Sequence, residues 1–210
     1  VGPGGEEFPR FSEFWIETPS LDAADLQIHA LLDSPSVTGA YHFRVRPGLP
    51  TVVDVEASLF PRRDLARVGI AALTSMFLFD ATNRGSFDDF RRAVHDSDGL
   101  LVQQANGETL WRPLANPTEL QVSSFGKLRP LGFGLLQRHQ AFEQFQDAEA
   151  RYDKRPSLWI EPQGDWGEGE VVLVEIPSGK ETNDNIVAYW QPSLGLSADK
   201  DHHFAYRMSW

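Results

Sequence analysis

Short runs in which hydrophobic and polar positions alternate make up most of this chain. Three early runs, Leu26–Leu32, Gly39–Val45 and Thr51–Ala57, have the length and alternation of β-strands. In the third run acidic residues alternate with valines, which is typical of a strand with one solvated face. Further strands are predicted over residues 75–79, 110–111, 120–125, 132–137, 157–161, 171–177, 185–190 and 203–209. Because Gly and Pro punctuate the runs about every ten to fifteen residues, the pattern predicts a mostly-β sandwich or barrel.

Two segments have a different pattern. From Phe142 to Tyr152 the apolar residues recur at 142, 145, 148 and 152, which is the spacing of a small surface helix that covers a sheet. The stretch 62–71 is compatible with a second short helix. The chain has no internal repeat, low-complexity tract or linker, so we predict one domain or part of one.

Composition and charge restrict the partners. Hydrophobic residues make up 41% of the chain, which is enough for a sizeable core, and the net charge of −11 disfavours nucleic acid. No apolar run approaches the roughly 18 residues of a membrane span. The absence of cysteine excludes disulfides and thiolate metal sites.

The two ends indicate a piece of a longer polypeptide. The chain starts Val-Gly-Pro-Gly-Gly without an initiator Met, and it stops at Trp210, directly after the strand pattern of 203–209. A natural domain seldom stops at the last residue of a strand. We therefore expect sequence to be missing at both ends, through trimming or because the chain is a fragment.

Motifs for metal, nucleotide and serine chemistry are missing. His95 precedes Asp96, and His202 and His203 are adjacent, but neither arrangement has the spacing that zinc favours. The sequence contains no Walker loop, Rossmann glycine run or G-x-S-x-G elbow. We therefore expect no metal and no cofactor.

Carboxylates beside aromatic residues are the remaining chemistry, and they concentrate in segments 94–99, 111–114, 161–169 and 181–185. Hydrolysis of a glycosidic bond uses one carboxylic acid to protonate the departing oxygen and one carboxylate to help water attack. Such clusters of Asp, Asn, Ser and Gly are also typical of ordinary turns, whose side chains bond their own backbone. The residues alone leave both interpretations open.

Seven ordered motifs occupy residues 74–79, 94–100, 110–114, 132–138, 152–162, 164–167 and 184–190. Together they resemble the periplasmic glucan biosynthesis proteins G and D, the osmoregulated periplasmic glucan proteins of Gram-negative bacteria. The resemblance extends from about Glu6 to Trp210, and the segment 181–185 looks closer to the D branch.

The resemblance implies a fold and a place in the cell. Family members are exported to the periplasm and have a large N-terminal β-sandwich domain similar to galactose-mutarotase folds, followed by a smaller immunoglobulin-like domain. Residues 1–210 match the later part of the large domain. We therefore expect the rest of that domain to be a partner of this chain, and the C-terminal immunoglobulin-like domain to be absent from it. Members often dimerise, so a homodimer is also expected.

The resemblance also implies an activity on linear β-1,2-glucan. Some members are inverting endo-β-1,2-glucanases and others are transglycosylases that cyclise the glucan. By motif, Asp184 is the general acid and Asp96 is the general base, reached through a relay of waters. Asp98 is an alternative base, and Glu181 shapes the loop of Asp184. For its role Asp184 needs a raised pKa, which partial burial or the Glu181 charge would supply.

Aromatic and basic residues near these motifs are candidates for substrate binding. Because sugar faces stack on aromatic rings, the candidate ring contacts are Trp111, Tyr152, Trp159 and Trp166, of which we expect two or three to touch sugar. Arg112, Arg138 and Arg155 either hold sugar hydroxyls or pair with the surplus of acids. Two other hypotheses remain: a scaffold that binds glucan without turnover, and a chain that is inert without its missing part.

Overall fold

The computed structural model describes residues 5–126 and 129–210 and is mostly β, as the alternating pattern predicts. The only helical segments in this part of the chain are one α-helical turn at Phe142–Phe145 (α1) and a 3₁₀ turn at Tyr152–Lys154. No helix within the described ranges is long and apolar enough to cross a membrane. The elements are β1 Arg10–Ile16, β2 Leu26–Asp33, β3 Val37–Arg46, β4 Val52–Pro61, β5 Ile70–Ser75, β6 Phe77–Phe79, β7 Val94–His95, β8 Gly99–Gln104, β9 Thr109–Pro113, β10 Gln121–Phe125, β11 Pro130–Leu136, α1 Phe142–Phe145, β12 Leu158–Gln163, β13 Gly169–Glu175, β14 Ile186–Pro192 and β15 His202–Ser209.

The chain forms two compact units, the first of which contains the described residues up to Val68 with 161–167 and 192–210. Its strands β1, β2, β3, β4 and β15 pair in that order, and every pairing is antiparallel. The turn between β2 and β3 begins at Ser34, whose backbone N–H and hydroxyl both donate to the carbonyl of Val37. Asp, Ser and Pro, which follow one another as Asp33-Ser34-Pro35, are common residues of such turns.

The second unit contains residues 69–160 and 168–191 and has two layers. One layer orders its strands β12, β11, β8 and β9, and the other orders them β10, β13, β14 and β5. Strand β11 lies against β5 and β13, so the two layers form a sandwich. Side chains such as Phe133, Ile160, Leu173 and Trp190 are fully buried, as expected for strands that alternate inward and outward positions.

A small ladder of β6 and β7 belongs to the same unit and carries a hydrophobic cluster of its own. The cluster contains Met76, Phe79, Phe145 from α1 and Tyr152 from the 3₁₀ turn. Segment 75–79, predicted as one strand, is two: Ser75 ends β5, and Phe77 starts β6 in a different sheet. Met76 connects them.

Both helix predictions need correction. A helix over 62–71 is wrong, because the backbone of this stretch pairs elsewhere: Leu65 and Leu196 exchange both N–H···O bonds, at 2.8 and 2.9 Å. The predicted helix over 142–152 is only the single turn α1. Gln146 at φ 52° and Arg151 at φ 51° adopt the left-handed conformation and interrupt the helical path.

Candidate active site

The two predicted catalytic carboxylates, Asp96 and Asp184, lie on loops of the second unit that come together. Asp96 follows β7 and precedes β8, while Asp184 immediately precedes Asn185 and β14. The backbone N–H of Asp96 donates to the carbonyl of Met76 at 2.8 Å. The two carboxylates lie close enough for the charge of Asp184 to act on the pKa of Asp96.

Asp96 has a raised pKa. Burial is the main cause, the negative charge of Asp184 adds to it, and the guanidinium of Arg155 opposes it. The Arg155 Nε lies 3.0 Å from Asp96 Oδ1, but this buried oxygen has no well-aligned hydrogen bond. The Asp96 side chain is 27% exposed, whereas Asp184 is an exposed residue. A raised pKa brings a carboxyl group closer to the neutral range in which general acids and general bases work.

Tyr152 and Glu181 lie beside this pair. The buried Tyr152 hydroxyl donates to Glu181 Oε2 at 3.3 Å. Burial raises the pKa of Tyr152, and the charges of Glu181 and Asp96 raise it further. The phenol therefore stays protonated at neutral pH and acts as a hydrogen-bond donor. The guanidinium of Arg155 lies over its ring, 5.8 Å from the centroid.

Arg91 is the residue of this site that the sequence did not indicate. Its guanidinium contacts Asp89 at 2.7 Å, Asp147 at 2.6 Å and Glu181 at 2.8 Å. The hydrogen bond to Asp89 is the main reason that its pKa is raised. Its partners lie far apart in sequence, so no local motif marks it. The same oxygen of Glu181, Oε2, thereby contacts both the Arg91 guanidinium and the Tyr152 hydroxyl.

The carboxylate of Asp98, the alternative base, already has hydrogen-bond partners. Its carboxylate is almost fully buried and accepts hydrogen bonds from Arg138 Nε at 2.8 Å and Arg138 N at 3.3 Å. The side chain of His139 lies 4.0 Å away. For Arg138 and Arg155, the structure thus supports the interpretation that they pair with acids.

Arg112 also has an acidic partner. Its Nη2 donates to Glu175 Oε2 at 2.9 Å, and the backbone N–H of Ala115 donates to Oε1 at 2.7 Å. Glu175 is fully buried, and burial raises its pKa although Arg112 and the Ala115 N–H both lower it. Arg112 thus compensates a buried charge.

Trp111 and Trp159 lie on the same face of the β12–β11–β8–β9 sheet. The paired residues Trp159, Gly134, Leu101 and Trp111 form one row across the four strands. A Cβ on Gly99 would lie 2.0 Å from the Trp111 ring, so the indole lies directly on the bare backbone there. Both rings are partly exposed. We call this surface the indole platform.

Basic and glycine residues complete the indole platform. The guanidinium of Arg138 lies 4.1 Å from the Trp111 ring centroid. A Cβ on Gly132 would lie 2.3 Å from the Trp159 ring. The platform is therefore flat and apolar with a polar edge.

Trp166 lies in the first unit. The indole is buried, its Nε1 donates to the carbonyl of Ala205 at 2.9 Å, and its ring meets Phe204 and Tyr206 edge-on. The nine predicted site residues are thus divided: eight lie in the second unit and Trp166 in the first. In the described ranges, no three His, Asp or Glu side chains are arranged as metal ligands.

Comparison with known proteins places the sequence in a family. The family profile described as periplasmic glucan biosynthesis protein, MdoG, matches residues 1–210. Glucans biosynthesis protein G 1 of Shewanella oneidensis is 59% identical over 99% of this chain and 38% of its own length. Glucans biosynthesis protein G of Shewanella frigidimarina is 58% identical over 99% of this chain and 37% of its own length.

These relatives also bear on two details. The chain spans less than two fifths of the length of the curated relatives that it matches. They carry the G name, so the expected nearness to the D branch gains no support from them. A match over the whole chain nevertheless leaves no doubt about the family: this chain belongs to the MdoG family of periplasmic glucan biosynthesis proteins.

Proposed function

We propose that this chain carries the catalytic carboxyl groups of a periplasmic enzyme that acts on linear β-1,2-glucan. The observation that carries the proposal is the position of Asp96 and Asp184, which come from separate loops and lie near enough for the Asp184 charge to act on Asp96, beside Tyr152 and Glu181. Two carboxyl groups that flank one site are what glycoside hydrolysis requires. Membership of a glucan biosynthesis family supports the substrate class.

The two carboxyl groups have different roles in this mechanism. Asp184, which is exposed to an incoming chain, donates a proton to the glycosidic oxygen as the C–O bond breaks. Asp96 accepts a proton through a relay of waters as the last water attacks the anomeric carbon from the opposite face. Inversion needs the two groups about 6.5–9.5 Å apart, or more with a relay. A sugar hydroxyl in place of water makes the same step a transglycosylation, which yields cyclic products when it comes from the same chain.

Other residues of the second unit bind and orient the glucan in this proposal. Trp111 and Trp159 of the indole platform offer flat apolar surfaces for the faces of glucose rings. Tyr152 is a neutral hydrogen-bond donor next to Asp96, and Glu181 holds its hydroxyl in place. The platform also favours a second candidate function, a scaffold that binds glucan without turnover.

Product analysis on linear β-1,2-glucan separates the two functions. The protein in its natural full length is compared with its Asp184→Asn and Asp96→Asn variants, with Asp22→Asn at an exposed turn as the matched control. Loss of an acid or base costs about 10²–10⁴-fold in rate, so both site variants should lose that much while the control keeps wild-type activity. The products show whether water or sugar is the acceptor. Binding without turnover by the wild type would favour the scaffold.

An apolar face in the first unit suits a further segment of the same polypeptide. Phe11, Phe14 and Ile16 of β1 lie on the face that also carries Tyr41 and Phe43, and Phe14 and Ile16 are 59% and 65% exposed. Exposed patches of this kind mark contact surfaces. The greater length of the relatives supports a segment of the same large domain as the occupant.

Substitution of Phe14 by Glu distinguishes this occupant from a second copy of the chain. If a segment of the same polypeptide covers the face, the variant of the natural full-length protein should unfold at lower temperature with an unchanged oligomeric state. If a homodimer forms there, light scattering should show dissociation to monomers.

A further inference from the structure

We infer that Asn185 is a positioning residue that fixes the Asp184 loop against the Asp96 loop through the segment Ser75–Phe77. The inference rests on the proposed function and adds to it a residue that does not touch the substrate. Asn185 is 2% exposed. Its Oδ1 accepts from Phe77 N at 2.9 Å, and its Nδ2 donates to Phe77 O at 3.0 Å and to Ile176 O at 3.1 Å.

The same three-residue segment holds the Asp96 loop. The carbonyl of Met76 accepts from the N–H of Asp96 at 2.8 Å, and the hydroxyls of Ser75 and Ser97 form a buried hydrogen bond at 2.6 Å. Ser75 is in addition the strand partner of Ile186, the residue after Asn185. Consecutive residues of one short segment thus bind both loops.

Only an Asn side chain of this size supplies what the position uses. The carboxamide provides one acceptor and two donated N–H bonds, whereas an ionised Asp only accepts and Leu does neither. Asn185 thereby pairs with both backbone groups of Phe77, as a strand neighbour would.

A fixed anchor is needed because the two carboxylates do not attract each other. When Asp184 is ionised, its charge makes ionisation of Asp96 less favourable, and when Asp184 carries the proton that it donates, no ion pair holds the two loops together, so the anchor is needed in both states. Misplacement of a reacting group by about 1 Å costs about 10²-fold in rate. Asn185 therefore acts on catalysis through geometry.

The test compares Asn185→Ala with Ser34→Ala in the protein at its natural full length. Ser34 is also buried, and its hydroxyl donates one hydrogen bond to Val37 and accepts another from it in the β2–β3 turn, so its variant controls for lost stability. For Asn185→Ala we expect kcat to fall about 10²-fold with KM within about threefold of wild type. Ser34→Ala should keep the wild-type kcat at temperatures below its own unfolding transition.

A second readout does not depend on turnover. NMR titration of the ¹³C-labelled Asp96 carboxyl group should give a lower pKa in Asn185→Ala than in wild type, because the loops separate and Asp184 acts on it less. An unchanged Asp96 titration, or a kcat loss no larger than that of Ser34→Ala, would overturn the inference. If the wild type lacks activity on glucan, the proposed function fails, and the titration alone decides the role of Asn185.

Discussion

Acid should destabilise this protein through one buried histidine. His95 is fully buried, with its ring stacked on Phe77 at 5.3 Å and edge-on to Phe145 at 5.2 Å. Among the described residues, neither ring nitrogen has a hydrogen-bond partner of good geometry, although the Gln137 side chain lies close enough to favour the charged ring. Burial lowers the pKa of His95 from 6.5 to about 4, against smaller opposing effects of Asp98 and Asp80.

The sign and size of the effect follow from this pKa. The unfolded chain binds a proton at His95 near pH 6.5, whereas the folded protein binds this proton only near pH 4. The stability that the neutral His95 ring contributes is thus fully present above pH 6.5 and is lost as the pH falls to about 4. At about 1.4 kcal/mol for each pH unit, this interval corresponds to about 3 kcal/mol of unfolding free energy.

Urea unfolding followed by tryptophan fluorescence, at pH values from about 8 to about 4, measures this loss. His95→Leu is the informative variant because Leu is similar in volume and does not titrate. At pH 8 the difference between the two proteins reports packing alone, so its change on acidification reports the proton. We expect that change to favour the variant by about 3 kcal/mol at pH 4. If the difference in unfolding free energy between the two proteins is the same at all pH values, the reasoning is refuted.

Three further predictions concern the second unit. Asp96→Asn should melt at a higher temperature than wild type at neutral pH and not in acid, because the raised pKa of Asp96 means that stability falls as pH rises through it. Arg112→Met leaves Glu175 buried without its cation and should cost about 3 kcal/mol in urea unfolding, mostly recovered in Arg112→Met/Glu175→Gln. Gly99→Ala displaces the Trp111 ring and should weaken glucan binding in calorimetry, at a stability cost of about 1–3 kcal/mol; unchanged affinity would contradict a role of the indole platform.

Local patterns predicted the strands well where one face is buried. Strand β4 alternates buried and half-buried or exposed positions from Val52 to Pro61, which is the signal that alternation detects. Strand β1 was not predicted, because every residue from Arg10 to Ile16 is exposed and apolar side chains occur on both of its faces. The helix prediction over 62–71 failed for another reason: Leu65 pairs with Leu196, which is far away in sequence.

The site likewise contains residues that a local motif marks and residues that only the fold brings together. Asp96 and Asp184 became candidates through the family resemblance because each lies in a distinctive local sequence, and their catalytic roles stay predictions. Arg91 has no such signal, since its partners Asp147 and Glu181 join it only after folding. The anchoring role of Asn185 likewise depends on Phe77, and no spacing rule connects two residues so distant in the chain.

The link between Asn185 and Phe77 also has a consequence for the order of assembly. The chain is synthesised from its N-terminus, so Ser75–Phe77 and the Asp96 loop exist long before Asn185 has been made. Until then the backbone groups of Phe77 lack their carboxamide partner, and strand β5 lacks the β14 residues that pair with it. Closing so long a loop is slow because its entropy must be lost before the contacts form. A nascent chain therefore cannot bring Asp96 and Asp184 into register until nearly all of these residues have been synthesised.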